Sequence, residues 1–345
     1  MLRKIVYSIF IFIGVALAVF LLFQAFGDPA RLIAGQTGNQ KTIDNIRKDL
    51  NLDLPKWKQF VIYVNDISPV GVYTENDIQK KNLKGLFFGG VQKVGIKLPY
   101  LGNSFQSKKP VSEIIFNAFP TTFVLAFTAM LFACIMGVFL GVLSSLKKDS
   151  WVDKVSVFIS IVGVSLPSFF IAIVIAYLFG IVWHQYTGLN LTGSLYEMDE
   201  LTGEKYLSLK NLILPALTLG IRPLSIITQL TRSAMLDVLG QDYVRTAHAM
   251  GLSKKKIYLK YALRNALNPI VTSITGWFAE LLAGSFFIEF IFGWNGIGKI
   301  TVDALSKLDY PVVIGAVLCS AFIFIIINLL SDWAYRIIDP RIGKA

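Results

Sequence analysis

The stretch of this 345-residue chain that comes nearest to a chemical motif is Gly293-Trp294-Asn295-Gly296-Ile297-Gly298-Lys299. Its spacing matches most of a phosphate-binding P-loop, where backbone N–H groups and a lysine cradle phosphates. The next residue is Ile300, so the Ser or Thr hydroxyl that would hold magnesium is missing. A tight turn before a short helix is the better account of these glycines, and no nucleotide site is expected. Other chemistry is sparse. His184 and His248 are far apart, with no ligand spacing, and Cys134 and Cys319 both fall in apolar stretches. Neither a metal centre nor a disulfide framework is expected. No Ser/His/Asp set, Cys/His pair or carboxylate dyad stands in a plausible common location, so nothing argues for an enzyme or a cofactor. Arg222 and Glu280 are different: each interrupts an apolar stretch. An ionisable group inside a membrane is costly, and faces a bundle interior or an aqueous cavity. The two residues are candidates for a pathway-lining pair or a structural ion pair.

A second region points to binding. Residues 231–268 form a polar, basic stretch between two apolar spans, centred on QDYVRTAHAMGLSKKKIYLKYALRNALNP. It has helical periodicity, small residues (Ala247, Ala249, Gly251) and a cluster of Lys254, Lys255, Lys256, Lys260 and Arg264. Small residues let a partner's backbone come close. Ala247 and Gly251 are four apart and are expected to share one helix face. The competing reading is an ordinary loop held on the cytoplasmic side by its lysines.

The elements that must carry these residues follow from composition. The chain is 54% hydrophobic and only 16% charged, against roughly 25% charged in soluble domains. It reads as an all-α integral membrane protein. Six apolar segments approach the ~20 residues needed to cross a bilayer: 5–26, 119–143, 155–183, 212–230, 269–292 and 312–338. The fourth is the weakest, being interrupted by Arg222 and Pro223. The third is long enough for an amphipathic approach or a strong tilt. Gly137 and Gly141 fit a close-packing helix face. The net charge of +11 is explained by membrane orientation and anionic lipid rather than by nucleic acid.

The first span follows Arg3 and Lys4 and is longer than the ~7–15-residue core of a signal peptide, so it reads as a retained anchor. Lys147, Lys148 and Lys154, the long basic loop, and Arg336, Arg341 and Lys344 then fall inside. The acidic loop with Glu197, Asp199, Glu200 and Glu204 falls outside. That pattern predicts N-in, C-in with both termini cytoplasmic. The expected domains are an N-terminal transmembrane helix at 1–26, an extracytoplasmic α/β insert at 27–117, and a five-helix core at 118–345. Residues 39–64 have helical spacing, and 66–103 read as loops and short strands. There is no internal repeat, which weighs against a secondary transporter built on inverted repeats.

Taken together, the motifs resemble the inner-membrane permease subunit of bacterial dipeptide and oligopeptide ABC importers, the first permease of the pair. The resemblance covers nearly the whole chain. It rests on Gly27-Asp28-Pro29, LNLDLP at 50–55 with QF at 59–60, FPTTFVLA at 119–126, SLPSFF at 165–170 and LILPALTLG at 212–220. It continues through DYVRTAHAMGLS, ALRNALNP, FGWNGIG, DYPVV and Asp339-Pro340-Arg341. Glu289 matches a family position, whereas Glu280 does not. His248 and Met250 stand where basic residues are frequent, Asn268 replaces an aliphatic residue, and the stretch around 65–99 is longer than usual.

The resemblance implies a type I ABC importer permease fold of six transmembrane helices, in the bacterial cytoplasmic (inner) membrane. It implies that the basic loop docks, as a short helix pair, in a groove of an ATP-binding subunit. Asp242, Tyr243, Arg245, Thr246, Ala247, Gly251 and Leu252 would occupy the coupling positions. The implied partners are a paralogous second permease, two ABC ATPase subunits, an extracytoplasmic peptide-binding protein, the peptide substrate and membrane lipid. The implied reaction is vectorial transport, with ATP hydrolysed elsewhere. Nickel or another small solute as cargo remains open, as does a secondary transporter working without ATPases.

Overall fold

A computed structural model describes residues 2–25, 30–31, 39–199 and 202–338. The motifs Gly27-Asp28-Pro29 and Asp339-Pro340-Arg341, together with Glu200 and Lys344, lie outside the described residues. The chain divides into two compact units, one of Met1–Phe119 with Ile300–Phe322 and one of Pro120–Lys299 with Ile323–Ala345.

In the first unit, α1 (Leu2–Ala25) is an apolar helix, and the insert follows. The helical spacing at 39–64 resolves into two helices, α2 (Gln40–Asp49) and α3 (Lys56–Ile67). Asn39 caps the first by accepting from the Thr42 N–H at 2.8 Å, and Pro55 opens the second. Strand β1 (Val70–Tyr73) leads into a short helix, α4 (Glu75–Lys81), which starts at a Thr74/Asp77 capping box. Strands β2 (Gly85–Gly89) and β3 (Lys93–Lys97) complete an antiparallel sheet of order β1-β3-β2. Beneath it, Lys81 contacts both Asp66 carboxylate oxygens at 2.6 and 2.7 Å. Lys97 donates to the Asp66 and Ser68 carbonyls at 2.5 and 2.9 Å. Burial beneath the sheet pushes the Lys97 ammonium down to about 8.

Helix α5 (Val111–Leu146) begins well before the expected boundary at 118. At 36 residues it is about 54 Å long, which exceeds the ~30 Å hydrocarbon layer. The expected third span is not one helix. It is α6 (Trp151–Ser165) and α7 (Ser168–Tyr177, continued by a π-turn Leu178–Val182), bent by 110°. The break is at Leu166, whose ψ is 139°, because a residue before proline is pushed out of the helical region. Strands β4 (Tyr196–Met198) and β5 (Lys205–Leu207) form a hairpin in the acidic loop.

The fourth span, weakest by composition, is instead a continuous helix, α8 (Lys210–Leu239), and 67% of its apolar window is buried, more than in any other long span. Three of its hydroxyl residues face inward and are satisfied by the preceding turn, whereas the buried Thr231 hydroxyl has no partner among the described residues. Thr218, Ser225 and Thr228 donate to Leu214, Ile221 and Leu224 carbonyls at 2.7, 2.9 and 2.8 Å. Hydropathy reports what lipid would like, and α8 faces protein. A Cβ at Gly141 would lie 2.5 Å from Thr231 Cβ, and one at Gly137 2.9 Å from Ile227 Cγ2. The small-residue face of α5 is thus seated on α8. After α8 come α9 (Asp242–Ala249), α10 (Leu263–Gly284), α11 (Phe286–Ile291), α12 (Ile297–Ser306) and α13 (Tyr310–Ile338). Among the described residues, four helices are long and apolar enough to cross a membrane, the bent pair passes the same test together, and Pro269–Ala283 is a shorter apolar stretch.

Candidate functional site

The basic stretch 231–268 is largely helical, with α8 running on to Leu239 and helical structure resuming at Lys254. Between them α9 forms an amphipathic two-turn helix. Val244 and Ala247 are buried against Ile257, with Val238, Leu239, Leu252 and Tyr258 around them. Asp242, Tyr243, Arg245, Thr246, His248 and Ala249 are exposed. Met250 is 71% exposed just beyond the helix.

This geometry corrects the shared face expected of Ala247 and Gly251. Ala247 points into the chain, and Gly251 lies past the helix end with φ +75°. The Gly251 N–H donates to the His248 carbonyl at 3.0 Å, and the Leu252 N–H to the Ala247 carbonyl at 3.3 Å. That pair of bonds, with Ala247 against Leu252, is a Schellman ending, which requires a left-handed residue. Gly251 therefore shapes the turn. The surface α9 offers is charged and aromatic rather than bare. Tyr243 is held from α10, where Asn265 Nδ2 donates to its hydroxyl at 2.8 Å and also to the Tyr261 carbonyl at 3.0 Å. Asp242 and Arg245 approach to 3.5 Å, an exposed pair of little stabilising weight. Lys254, Lys255 and Lys256 are exposed after the turn.

Next to this helix, Asp153 ties three helices together, a constellation sequence reading missed. Arg232 of α8 donates from Nε and Nη2 to the two Asp153 oxygens at 2.6 and 2.7 Å. Ser144 of α5 also donates to Asp153, as does the Asp149 N–H at 2.9 Å. A bidentate, charge-assisted pair of this kind fixes orientation as well as distance. The only sequence signal was Ser150, three residues before Asp153, whose hydroxyl caps α6.

The glycine-rich segment 293–299 is a turn before a short helix, as expected, and an anion does sit at that helix N-terminus. It is the chain's own Glu289, fully buried. Its Oε2 accepts from the Gly298 and Lys299 N–H groups at 2.7 and 3.2 Å, and Oε1 from Ser285 at 2.7 Å. A carboxylate there satisfies orphan donors and the helix dipole. A Cβ on Gly296 would fall 2.4 Å from both Glu289 Oε2 and Thr122 Oγ1. Trp294 Nε1 donates to the Thr121 carbonyl at 3.0 Å, and Thr121 Oγ1 to the Asn295 carbonyl at 2.6 Å. The P-loop-like spacing thus serves a knot joining α5, α11 and α12.

Arg222 and Glu280 do not form the expected pair. The Arg222 guanidinium lies over the Trp277 ring at 5.7 Å, one turn from Glu280, and no ion pair joins them. Both are exposed on the surface of this chain. Sequence alone could not show that an indole had taken the carboxylate's place.

These features define the class: a multi-pass helical membrane subunit with a structured polar helix between two spans. Family models agree. Residues 137–344 match the binding-protein-dependent transport system inner membrane component, and residues 1–126 match the N-terminal part of such membrane components. The chain belongs to this family of binding-protein-dependent inner-membrane permeases. It is 34% identical to the dipeptide transport system permease DppB of Alkalihalophilus pseudofirmus, over 99% of this chain and 98% of that one. It is 36% identical to the probable D,D-dipeptide transport system permease DdpB of Escherichia coli K12 (96% and 93% covered). Identity to the glutathione transport system permease GsiC of Salmonella choleraesuis is 34% (95% and 93% covered). The fold matches an inward-facing MetNI methionine ABC transporter with TM-score 0.52 and 15% identity, covering 66% of this chain and 97% of that one. The chain is thus a permease component that works with ATPase and binding-protein components.

Proposed function

We propose that the chain is one of two permease subunits of an ATP-driven importer of di- or oligopeptides. The observation that carries this reading is near-full-length similarity to peptide permeases from distant bacteria. A binding protein delivers peptide on the insert's side, the peptide passes between this subunit and a paralogous one, and two ATPase subunits drive the cycle. The exposed face of α9, with Asp242, Tyr243, Arg245, Thr246, Ala249 and Met250, seats in the ATPase. Ala247, Gly251 and Leu252 support that face from behind. The termini are cytoplasmic, in keeping with Lys147, Lys148 and Lys154 on the short loop. Arg222 and Glu280, exposed within spans, face the pathway or the second permease, because lipid would not accept them. The test is uptake of labelled dipeptides and tripeptides by cells lacking this chain and by cells carrying it back. Restored peptide uptake supports the reading. Restored uptake of nickel without peptide uptake would refute it.

A further inference from the structure

The three-stranded sheet of the insert has its apolar face turned outward. Antiparallel register places Val70, Ile96 and Leu86 in one row and Val72, Val94 and Phe88 in the next. Directly opposed residues share a face, so these six side chains form one patch. All six are exposed, Phe88 by 73% and Leu86 and Ile96 by 69% each. The other face, turned into the chain, carries Tyr73 and Lys97, both buried. A sheet in water shows the reverse arrangement, polar out and apolar in. A contiguous exposed apolar patch of this kind marks an interaction site.

Two observations within the same compact unit identify what covers it. The first is depth. Helix α3, which leads into β1, lies along the apolar span Val6–Gln24: the Phe20 ring is 5.3 Å from Phe60 and 5.7 Å from Tyr63. Ile67, the last residue of α3, shares a buried cluster with Ala16 and Leu318, and Leu101 packs on the same cluster. Ala16 is eight residues inside the end of that span, and Leu318 eight residues inside the start of Tyr310–Ser331. At 1.5 Å per residue this is about 12 Å below the span ends, within the ~15 Å hydrocarbon half-thickness of one leaflet. The sheet begins three residues after Ile67. The second observation is charge. Residues 66–109 contain seven lysines (80, 81, 84, 93, 97, 108 and 109) against Asp66, Glu75 and Asp77. Lys97 is buried on the opposite face, and Lys81 and Lys93 pair with Asp66 and Glu75. Lys80, Lys84, Lys108 and Lys109 are exposed and give this part of the chain a basic surface, which complements anionic phospholipid. The Asn65 side chain covers the outer edge of β1 at Val72, and the outer edge of β2 keeps the sheet out of the hydrocarbon centre, where unpaired backbone groups are not tolerated.

We propose that this sheet rests, apolar face down, in the interfacial layer of the leaflet from which the insert emerges. Phospholipid covers Val70, Val72, Leu86, Phe88, Val94 and Ile96, and the exposed Lys80, Lys84, Lys108 and Lys109 meet its anionic headgroups. The proposal needs the chain to be a membrane protein, and does not depend on its cargo or on which leaflet faces the cytoplasm.

The test uses the full chain in nanodiscs of phosphatidylethanolamine and phosphatidylglycerol, in a Cys134→Ser, Cys319→Ser background. An environment-sensitive fluorophore is attached at Phe88→Cys, at Leu86→Cys and, as a control on exposed α4, at Asn76→Cys. Labels at 86 and 88 should be quenched by lipid carrying a nitroxide high on the acyl chain and shielded from aqueous iodide. The label at 76 should show the opposite. Iodide quenching at 86 and 88 equal to that at 76 would overturn the proposal, as would shielding from both quenchers, which would assign the face to protein. Replacing phosphatidylglycerol by phosphatidylcholine should lower nitroxide quenching at 86 and 88. Unchanged quenching would remove the headgroup half of the proposal.

Discussion

Glu289 shows how one residue changes the meaning of a motif. The glycines at 293, 296 and 298 have the spacing of a phosphate cradle, and the backbone N–H groups of Gly298 and Lys299 do bind an anion. The anion is covalently part of the chain. Gly296→Ala should lower the thermal unfolding temperature by an amount equivalent to about 1–3 kcal/mol, because overpacking a fixed hydrogen-bonded knot is costly. Gly276→Ala, with nothing within 4 Å of the added Cβ, should leave it unchanged or raise it. Equal losses at both positions would show that 296 is not special. Lys97 gives a pH prediction. Burial lowers its folded-state pKa to about 8 from 10.5, so between these values the unfolded insert binds more protons than the folded one. Stability of the insert should therefore rise with pH across that window. The check is the unfolding transition of a 19F label at Asn76 between pH 8 and 10, and Lys97→Met should flatten the slope. A slope of opposite sign would contradict the burial of a charged lysine.

At the level of elements, apolar length and basic loops were legible from the sequence, and the packing roles of the elements were not. Among the described residues the six apolar segments are mostly helical, since ~20 apolar residues leave few alternatives, but the third is broken at Leu166 and the fifth at Ser285. The rank of the fourth span was inverted because Arg222 and Pro223 interrupt its apolar run, yet α8 continues through both, with Pro223 buried and the Arg222 guanidinium over Trp277. Leu166-Pro167 could have been read as the break in the third span, since the residue before proline leaves the helical region. The Asp153–Arg232 clasp lay beyond reach, because 79 residues separate its members. Gly251 was picked out for the wrong reason: its positive φ, not a bare face, requires glycine. A non-glycine residue in that conformation costs roughly 1–2 kcal/mol, with asparagine among the tolerated exceptions. Gly251→Asn should therefore retain the ATPase subunits in a pull-down at matched expression, and Gly251→Val should lose them. If both lose them equally, the position contacts the partner directly and the turn is not the cause.

At the scale of the whole molecule, a membrane-embedded bundle works with an energy source that lies outside this chain. The bundle is tied by Asp153 and Glu289, and α9 is held against it by Val244, Ala247 and the Asn265–Tyr243 hydrogen bond. A force applied to α9 is thus delivered to the ends of α8 and α10. The central claim is that the exposed face of α9 is where the ATPase docks. The most direct measurement is cross-linking in membranes that import peptide, with single cysteines at Thr246 and Met250 on that face and at Tyr186, 80% exposed beyond the third span, as the control. A short bifunctional reagent should join positions 246 and 250 to the ATPase subunit, with a yield that changes when ATP is added, and should leave 186 unjoined. Absence of the product from both 246 and 250 in transport-competent membranes would contradict the account.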